Sequence, residues 1–453
     1  MSVLVVHPQK TPLVGSVPVP SDKSVAHRAL LVGALCNGKS RIRAYAGGED
    51  NASTRAALAS MGVVYEDADK EVIVTGVGLF GLRAPTHDLD CGNSGTTMRL
   101  LCGVLCAQDF ATTLVGDASL SARPMMRVAG PLRTRGARIE GKPYAKANKE
   151  NEITAPLRIL GLEDGKHLEA IEYDMPVASA QVKSALLLSG LYAHGPTTLR
   201  EPTLSRDHTE RMLLSLGVPL RTVGTVVELD PSLANWNAQL PAFDVTLPGD
   251  ISASAFVLGA ALVVPGSRVS VRNVGTNPTR TGILDILRDM SAPLAVEPLG
   301  DEGGEPIANL HVESPHGGLM GRTIGGEWVT RAIDEIPALC AIAARARGTT
   351  TVRDAAELRV KESDRIATMV SVLRDFGVAC EPLPDGMHVE GTEKPLRAAM
   401  IDSRGDHRIA MSAALLALCA DGPSKIRDAD CIATSFPRFV GTLRALGARV
   451  DVE

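Results

Sequence analysis

The chain has 453 residues, 45% of them hydrophobic and 22% charged, with a formal net charge of −5 and a pI near 6.1. Those totals describe a globular protein of more than one domain with ample core material. Mild acidity excludes a global basic field for DNA or anionic membrane, and 3% aromatics argue against stacked-base readout of single strands.

The eight cysteines are scattered, without a CxxC pair or matching histidine spacing. They read as reduced, mostly buried thiols of a cytoplasmic protein and not as a zinc site. The first residues, MSVLVVHPQKTPLVG, lack a basic flank, and His7 and Pro8 break their apolar stretch. They do not read as a signal peptide, and no long uncharged apolar run predicts a membrane span.

The first predicted helix follows in PSDKSVAHRALLVGAL, Pro20 to Leu35. Ser21 or Asp22 can accept a hydrogen bond from the amides that open it. Lys23 and Ser24 fill its first turn, with His27 and Arg28 one turn later on the same side. From Ala29 onward it is apolar on every face, which predicts a buried rod. Its cationic, N–H-rich end is expected to face outward, where it suits phosphate or carboxylate.

The same design recurs along the chain. Six times a small polar or charged group opens an Ala/Leu-rich helix: Lys23-Ser24, Asn93-Ser94-Gly95, Ser179-Ala180-Gln181, Asp250-Ile251-Ser252, Asp334-Glu335 and Asp406-His407-Arg408. Strand-like runs follow from Gly38, Phe110, Gly195, Gly266, Gly348 and Gly422. A second helix comes next, and leucine falls four residues before a stop glycine in five copies: Leu58 and Gly62, Leu132 and Gly136, Leu213 and Gly217, Leu373 and Gly377, Leu443 and Gly447. Leu287 and Ser291 make the sixth pair. Glycine there supplies the left-handed residue that ends a helix. Short strands such as Val72 to Thr75, Val226 to Leu229 and Met387 to Val389 complete a strand–helix–strand–helix–strand–strand unit of roughly 75 residues. A solenoid is disfavoured, because the unit is long and its helix openings are polar.

The sixth copy stops at Glu453, short of strands, and Val3 to Val6 lies outside the first copy and can complete it. Pro-rich joints at Val17 to Pro20 and Leu240 to Pro248 separate copies one to three from four to six. The expected division is therefore 1–18 plus 246–453 against 19–245, with two crossing strands as a hinge.

If the helix openings of both domains face one cleft, Lys23, Arg28, Arg123, Arg206, Lys361, Arg365 and Arg408 converge there with Asp334 and Glu362. That excess of cations suits a small ligand carrying several negative charges. Plainer readings stand beside it. Lys23 and Arg28 could be solvated first-turn charges, RVKESDR a surface helix laced with i,i+4 pairs, His407 and Arg408 caps of a neighbouring helix, and Asp334 an N-cap before Pro337.

PSDKSVAHR, CGNSGTTMR, SARPMMR, ASAQVKSALLLSGL, SRDHTERM, PTRTG, IDEIP, ELRVKESDR, GDHRIAMS and IATSFPRF, in this order, resemble the 3-phosphoshikimate 1-carboxyvinyltransferase (EPSP synthase) family from end to end. RVKESDR together with GDHRIAMS is the most specific part, and the wording is nearest to the bacterial branch that includes glyphosate-tolerant forms. The resemblance implies an α/β fold of two similar domains, each of three β-α-β-α-β-β units in an inside-out α/β barrel, with helix N-termini facing the interdomain cleft. It implies transfer of the enolpyruvyl group of phosphoenolpyruvate to the 5-hydroxyl of 3-phosphoshikimate, without metal or organic cofactor, nucleic acid or membrane, by a monomer in the cytoplasm.

By the same resemblance Lys23, Ser24, Arg28, Ser179, Ala180, Gln181, Arg206, Asp334 and Lys361 contact 3-phosphoshikimate. Lys23, Gly95, Arg123, Gln181, Arg365 and Arg408 contact phosphoenolpyruvate. Asp334 is the expected base, Glu362 the expected acid, and Lys23 serves both substrates. Thr434 stands where some members carry lysine and is left out of the site. PSDKS replaces a commoner Pro-Gly start, and Gly95 is the residue typical of glyphosate-sensitive members. The alternatives are the sister enzyme acting on UDP-N-acetylglucosamine and, more distantly, a phosphate-sugar binding protein or an RNA 3′-phosphate cyclase. The sister's loop typically carries a cysteine that SLSARPMMR lacks.

Overall fold

The computed structural model describes residues 2–144, 151–163, 165–233 and 236–453. The chain divides into two units. One comprises Met1–Asp22, Pro248–Asp301 and Pro306–Glu453; the other comprises Lys23–Leu247 and Glu302–Glu305. Each has its own hydrophobic core.

In the Lys23–Leu247 unit, three mixed sheets repeat one plan. Leu89–Asp90 runs parallel to Thr112–Val115, which pairs antiparallel with Ile153–Leu160, itself antiparallel to Arg138–Pro143. Leu168–Asp174, Ala193–Arg200, Val226–Leu229 and Leu220–Val223 repeat that order. The parallel pair demands a crossover, and a buried helix supplies it: Gly95–Leu105 in one case and Ala180–Gly190 in the other. The unit bearing the chain termini follows the same plan in Thr323–Ile324, Thr349–Val352, Gly386–Glu390 and Cys380–Leu383. It does so again in the sheet of Met400–Asp402, Ser424–Arg427, Val3–Val6 and Val450–Val452. There the N-terminal strand Val3–Val6 fills the place that the last repeat leaves open.

Two sheets take their first strand from a distant part of the chain. Val14–Pro18 leads in sequence into the helix Lys23–Leu35, yet it pairs with Arg268–Gly275. Leu240–Pro241 and Asp244–Thr246 lead into the helix Ile251–Val263, yet they pair with Cys36–Arg43. The segments after these strands are tied to each other within the terminus-bearing unit. The Asp22 amide donates to the Pro248 carbonyl at 2.7 Å and the Asp250 amide to that of Pro20 at 2.8 Å.

The helix Lys23–Leu35 is buried from Val25 to Leu35. Its apolar perimeter explains that, but burial begins earlier than expected. His27 and Arg28 are only 1% and 3% exposed, so only the Lys23-Ser24 turn faces outward. A buried guanidinium has to be hydrogen-bonded, and Arg28 meets this through Thr209 Oγ1 at 2.7 Å, Ser184 Oγ at 2.8 Å and the Ser24 carbonyl at 2.9 Å.

All six leucine–glycine markers end helices in the same way. Gly62, Gly136, Gly217, Gly377 and Gly447 have φ between +77° and +104°, and Ser291 has φ +69°. The amide after each of these six residues returns to the leucine carbonyl at 2.9–3.3 Å, the six-to-one bond of a Schellman motif. All eight cysteines are free, six of them buried. Among the described residues no helix is long and apolar enough to cross a membrane.

Candidate active site

In the Lys23–Leu247 unit the predicted residues gather at helix starts. Lys23 opens its helix with the side chain 21% exposed, and its Nζ lies 2.8 Å from Asp50 Oδ2. Asp50 comes from the first turn of the helix Glu49–Ala59, and Asn51 Nδ2 donates to the Lys23 carbonyl at 3.2 Å. Next to them, Ser94 caps the helix Gly95–Leu105 by accepting from the Thr97 amide. Arg123 reaches the same turn, donating to Asn93 Oδ1 at 2.7 Å and to the Asn93 carbonyl at 3.3 Å. Gly95 is crowded by arginine: a Cβ on it would stand 2.8 Å from Arg99 Nη1 and 3.2 Å from Arg123 Nη1. Arg99 Nη1 donates to Gln181 Oε1 at 2.6 Å, and Gln181 Nε2 donates to Thr96 Oγ1 at 2.9 Å. Arg99, Gln181 and Thr96 are thus hydrogen-bonded in a row, and Gly95 lies between Arg99 and Arg123.

Ser179 and Ala180 begin the neighbouring helix, Ser179 as an extended N-cap without a side-chain cap bond. Behind them Lys183, 1% exposed, is bound by Glu201 and Glu210 at 2.7 Å each. Lys183 also donates to the Ser205 carbonyl at 3.3 Å. These contacts fasten the loop carrying Arg206, which is itself half-buried.

In the other unit a second cluster surrounds one buried arginine. Arg365, 1% exposed, opens the helix Arg365–Asp375. Its Nε lies 2.9 Å from Asp406 Oδ2, its Nη2 2.5 Å from Glu362 Oε2 and its Nη1 3.5 Å from Asp334 Oδ1. Lys361 Nζ stands 3.6 Å from the same Asp334 oxygen. Arg408 Nη1 donates to the Asp334 carbonyl at 2.7 Å. Asp406 also caps its own helix, accepting from the Arg408 amide at 3.0 Å, and accepts from Ser363 Oγ at 2.9 Å. Burial works against the Arg365 charge, but Asp406, Glu362 and Asp334 outweigh it and raise its pKa. Burial likewise opposes the Asp406 carboxylate, and Arg365 overcomes it, leaving that pKa below the usual value.

Two plainer readings fail here. RVKESDR is not a continuous surface helix: a 3-10 turn ends at Val360, Lys361 is extended, and the α-helix starts only at Arg365. Nor is Asp334 the N-cap before Pro337; Glu335 holds that position.

The sequence reading left Asp50 and Arg99 out of the site and named Asp406 only as a helix opening. Arg99 and Asp406 lay inside CGNSGTTMR and GDHRIAMS, and their charge was the available signal. Asp50 sits on a polar helix with nothing in its neighbourhood to single it out.

The family model for EPSP synthase (3-phosphoshikimate 1-carboxyvinyltransferase) matches residues 8–443. The protein of that name from Geobacter sp. (strain M21) is 49% identical over 95% of this chain and 96% of its own length. The one from Shouchella clausii is 45% identical over 96% of both. A solved EPSP synthase structure from Acinetobacter baumannii superposes with a TM-score of 0.86 at 42% identity, covering all of both chains. The α/β architecture of helices and mixed sheets is the one those relatives have. The chain belongs to the EPSP synthase family.

Proposed function

We propose that the chain transfers the enolpyruvyl group of phosphoenolpyruvate to the 5-hydroxyl of 3-phosphoshikimate, giving 5-enolpyruvylshikimate 3-phosphate and phosphate. The observation that carries this reading is the placement of Asp334 and Glu362, two carboxylates, around the buried Arg365 with Lys361 and Arg408 beside them. It comes in a chain that the family model matches over residues 8–443.

Glu362 gives a proton to the methylene carbon of phosphoenolpyruvate, and positive character develops on the adjacent carbon. The 5-hydroxyl oxygen attacks that carbon while Asp334 takes its proton, and a tetrahedral ketal phosphate forms. Breaking the carbon–oxygen bond to phosphate, while the Glu362 carboxylate takes back a methyl proton, restores the double bond and returns Glu362 to its starting state. No electron enters or leaves, so the steps call on no redox group. An acid and a base so placed each contribute about 10² to 10⁴ in rate. Fixed cations hold the phosphates and carboxylates without reorganising during the reaction.

In this reading Lys23, Ser24, Arg28, Ser179, Ala180, Gln181, Arg206, Asp334 and Lys361 hold 3-phosphoshikimate. Lys23, Gly95, Arg123, Gln181, Arg365 and Arg408 hold phosphoenolpyruvate. The reading also includes the division 1–18 plus 246–453 against 19–245 and the inside-out barrels whose helix N-termini face an interdomain cleft. A monomeric, cytoplasmic enzyme completes it. Phosphate release is measured with phosphoenolpyruvate and either 3-phosphoshikimate or UDP-N-acetylglucosamine. Release with the first acceptor alone supports the proposal, and release with only the second sinks it.

A further inference from the structure

Arg280, from the PTRTG stretch, is 2% exposed and belongs to none of the contact sets above. Its guanidinium lies among three carboxylates: Asp22 at 3.3 Å, Asp250 at 3.5 Å and Glu335 at 3.7 Å. Its Nη2 also donates to Ser252 Oγ at 2.8 Å, and Ser252 Oγ in turn donates to Glu335 Oε1. Glu335 is fully buried. All five residues lie in the terminus-bearing unit.

The partners of this arginine are not arbitrary. Asp22 is the residue before Lys23, and Glu335 is the residue after Asp334. Asp22 and Asp250 are also where the two connecting segments are tied, through Asp22 to Pro248 and Asp250 to Pro20. Asp334 stands in the short stretch between the helices Glu327–Ala332 and Ile336–Ala343. That stretch is fastened at neighbouring residues: Arg408 takes the Asp334 carbonyl, and Ser252 and Arg280 take the Glu335 side chain. The backbone is thus held on both sides of the Asp334 carboxylate, which stands 3.6 Å from Lys361 and 3.5 Å from Arg365.

We propose that Arg280 is a positioning residue for the reaction, setting through Glu335 the backbone that presents Asp334 and through Asp22 the chain that enters Lys23. The surrounding carboxylates outweigh the cost of burying its charge and raise its pKa. A fully buried ion network is costly and gives little net stability compared with an apolar core. Its use here is orientation: a misplacement of about 1 Å can cost on the order of a hundredfold in rate.

The inference rests on the reading of Asp334 as the base, and the test separates the two. Arg280→Lys and Glu335→Gln are compared with Asp334→Asn, with the melting temperature measured for each. Glu335→Gln keeps the length of the side chain and a hydrogen-bonding partner for Ser252, and decides the matter if Arg280→Lys does not fold. The expected result is a folded Glu335→Gln protein with kcat lowered about tenfold or more and both KM values close to wild type. A stability role alone would lower the melting temperature and leave kcat per folded molecule unchanged, which overturns the inference. If Asp334→Asn abolishes turnover while both other variants keep wild-type kcat, the positioning role is wrong and the base assignment stands. If Asp334→Asn itself turns over normally, both fall.

Discussion

Glu362 and Arg365 are joined side chain to side chain, with 2.5 Å between Oε2 and Nη2, three residues apart across the start of a helix. The guanidinium that holds this carboxylate also holds Asp406, so Glu362 is fixed in place by a group that cannot itself move far. The proposed role of Glu362 as proton donor to carbon calls for that fixity, because reach and angle decide the rate. Glu362→Gln removes the proton while keeping a partner for Arg365. The expected outcome is a fall in kcat of about 10² to 10⁴ with the KM for 3-phosphoshikimate little changed. Turnover at the wild-type rate would show that another group delivers the proton.

Gly95 is the residue where one added methyl has the clearest consequence. A Cβ there meets Arg99 Nη1 at 2.8 Å and Arg123 Nη1 at 3.2 Å, so both guanidinium groups must give way. They are ends of flexible side chains, and the protein should still fold. Displacing both guanidinium groups at the proposed phosphoenolpyruvate contacts is expected to cost on the order of 1 kcal/mol of binding, a factor of roughly five in affinity. Gly95→Ala should raise the KM for phosphoenolpyruvate by at least that factor and weaken inhibition by glyphosate, to which the wild-type enzyme should be ordinarily sensitive. Inhibition curves on both purified proteins check it. Strong wild-type activity at high inhibitor would show that Gly95 does not control the response.

Much of the repeat was legible because it is written in local chemistry. After an Ala/Leu-rich helical run, a leucine four residues before glycine marks a helix end, and all six ends read this way, Ser291 included, have the left-handed residue in place. The strand exchange was half legible: the Pro-rich joints put 14–18 with 246–453 and 240–245 with 19–245, but did not say which strand each would pair with. Alternation tells a strand from a helix, but nothing in VGSVP says that its partner lies at Arg268–Gly275 and not beside the next helix in the chain. Charge placement was half legible. Lys361, Glu362, Arg365 and Arg408 were singled out, but which arginine would be buried depends on partners such as Asp406 that only tertiary structure brings up. Arg28 shows the opposite error: a cation at a helix start was read as exposed, while Ser184 and Thr209 made burial possible.

Asp406 should leave a signature in acid. Its folded pKa lies below the ordinary 3.8 because Arg365 outweighs the cost of burial. A depressed carboxylate contributes stability that is present above its ordinary value and is lost as pH falls through the folded value. Asp406→Asn keeps the shape but removes the charge opposite a buried guanidinium, and should cost about 3 kcal/mol at neutral pH. The gap between wild type and variant should then narrow below about pH 4. Melting temperatures of both proteins from neutral to acid pH provide the check; a gap independent of pH would mean that Asp406 acts through shape alone.

Ser291 is the single departure among the six helix ends, holding φ +69° with a side chain where the other five have glycine. A left-handed residue with a Cβ costs about 1–2 kcal/mol. Glycine returns roughly 0.4–1 kcal/mol of that through the greater freedom of the unfolded chain. Ser291→Gly should therefore stabilise its unit by about 0.5–1 kcal/mol, the difference of those two figures. The reverse change is available at Gly217, where an added Cβ meets nothing within 4 Å. Gly217→Ala should destabilise by a similar amount through backbone conformation alone, without a clash. Urea midpoints at unchanged m-value measure both. If Ser291→Gly lowers the midpoint, its hydroxyl has a role at this turn that outweighs the strain, and the equivalence of the six ends does not hold for the fourth.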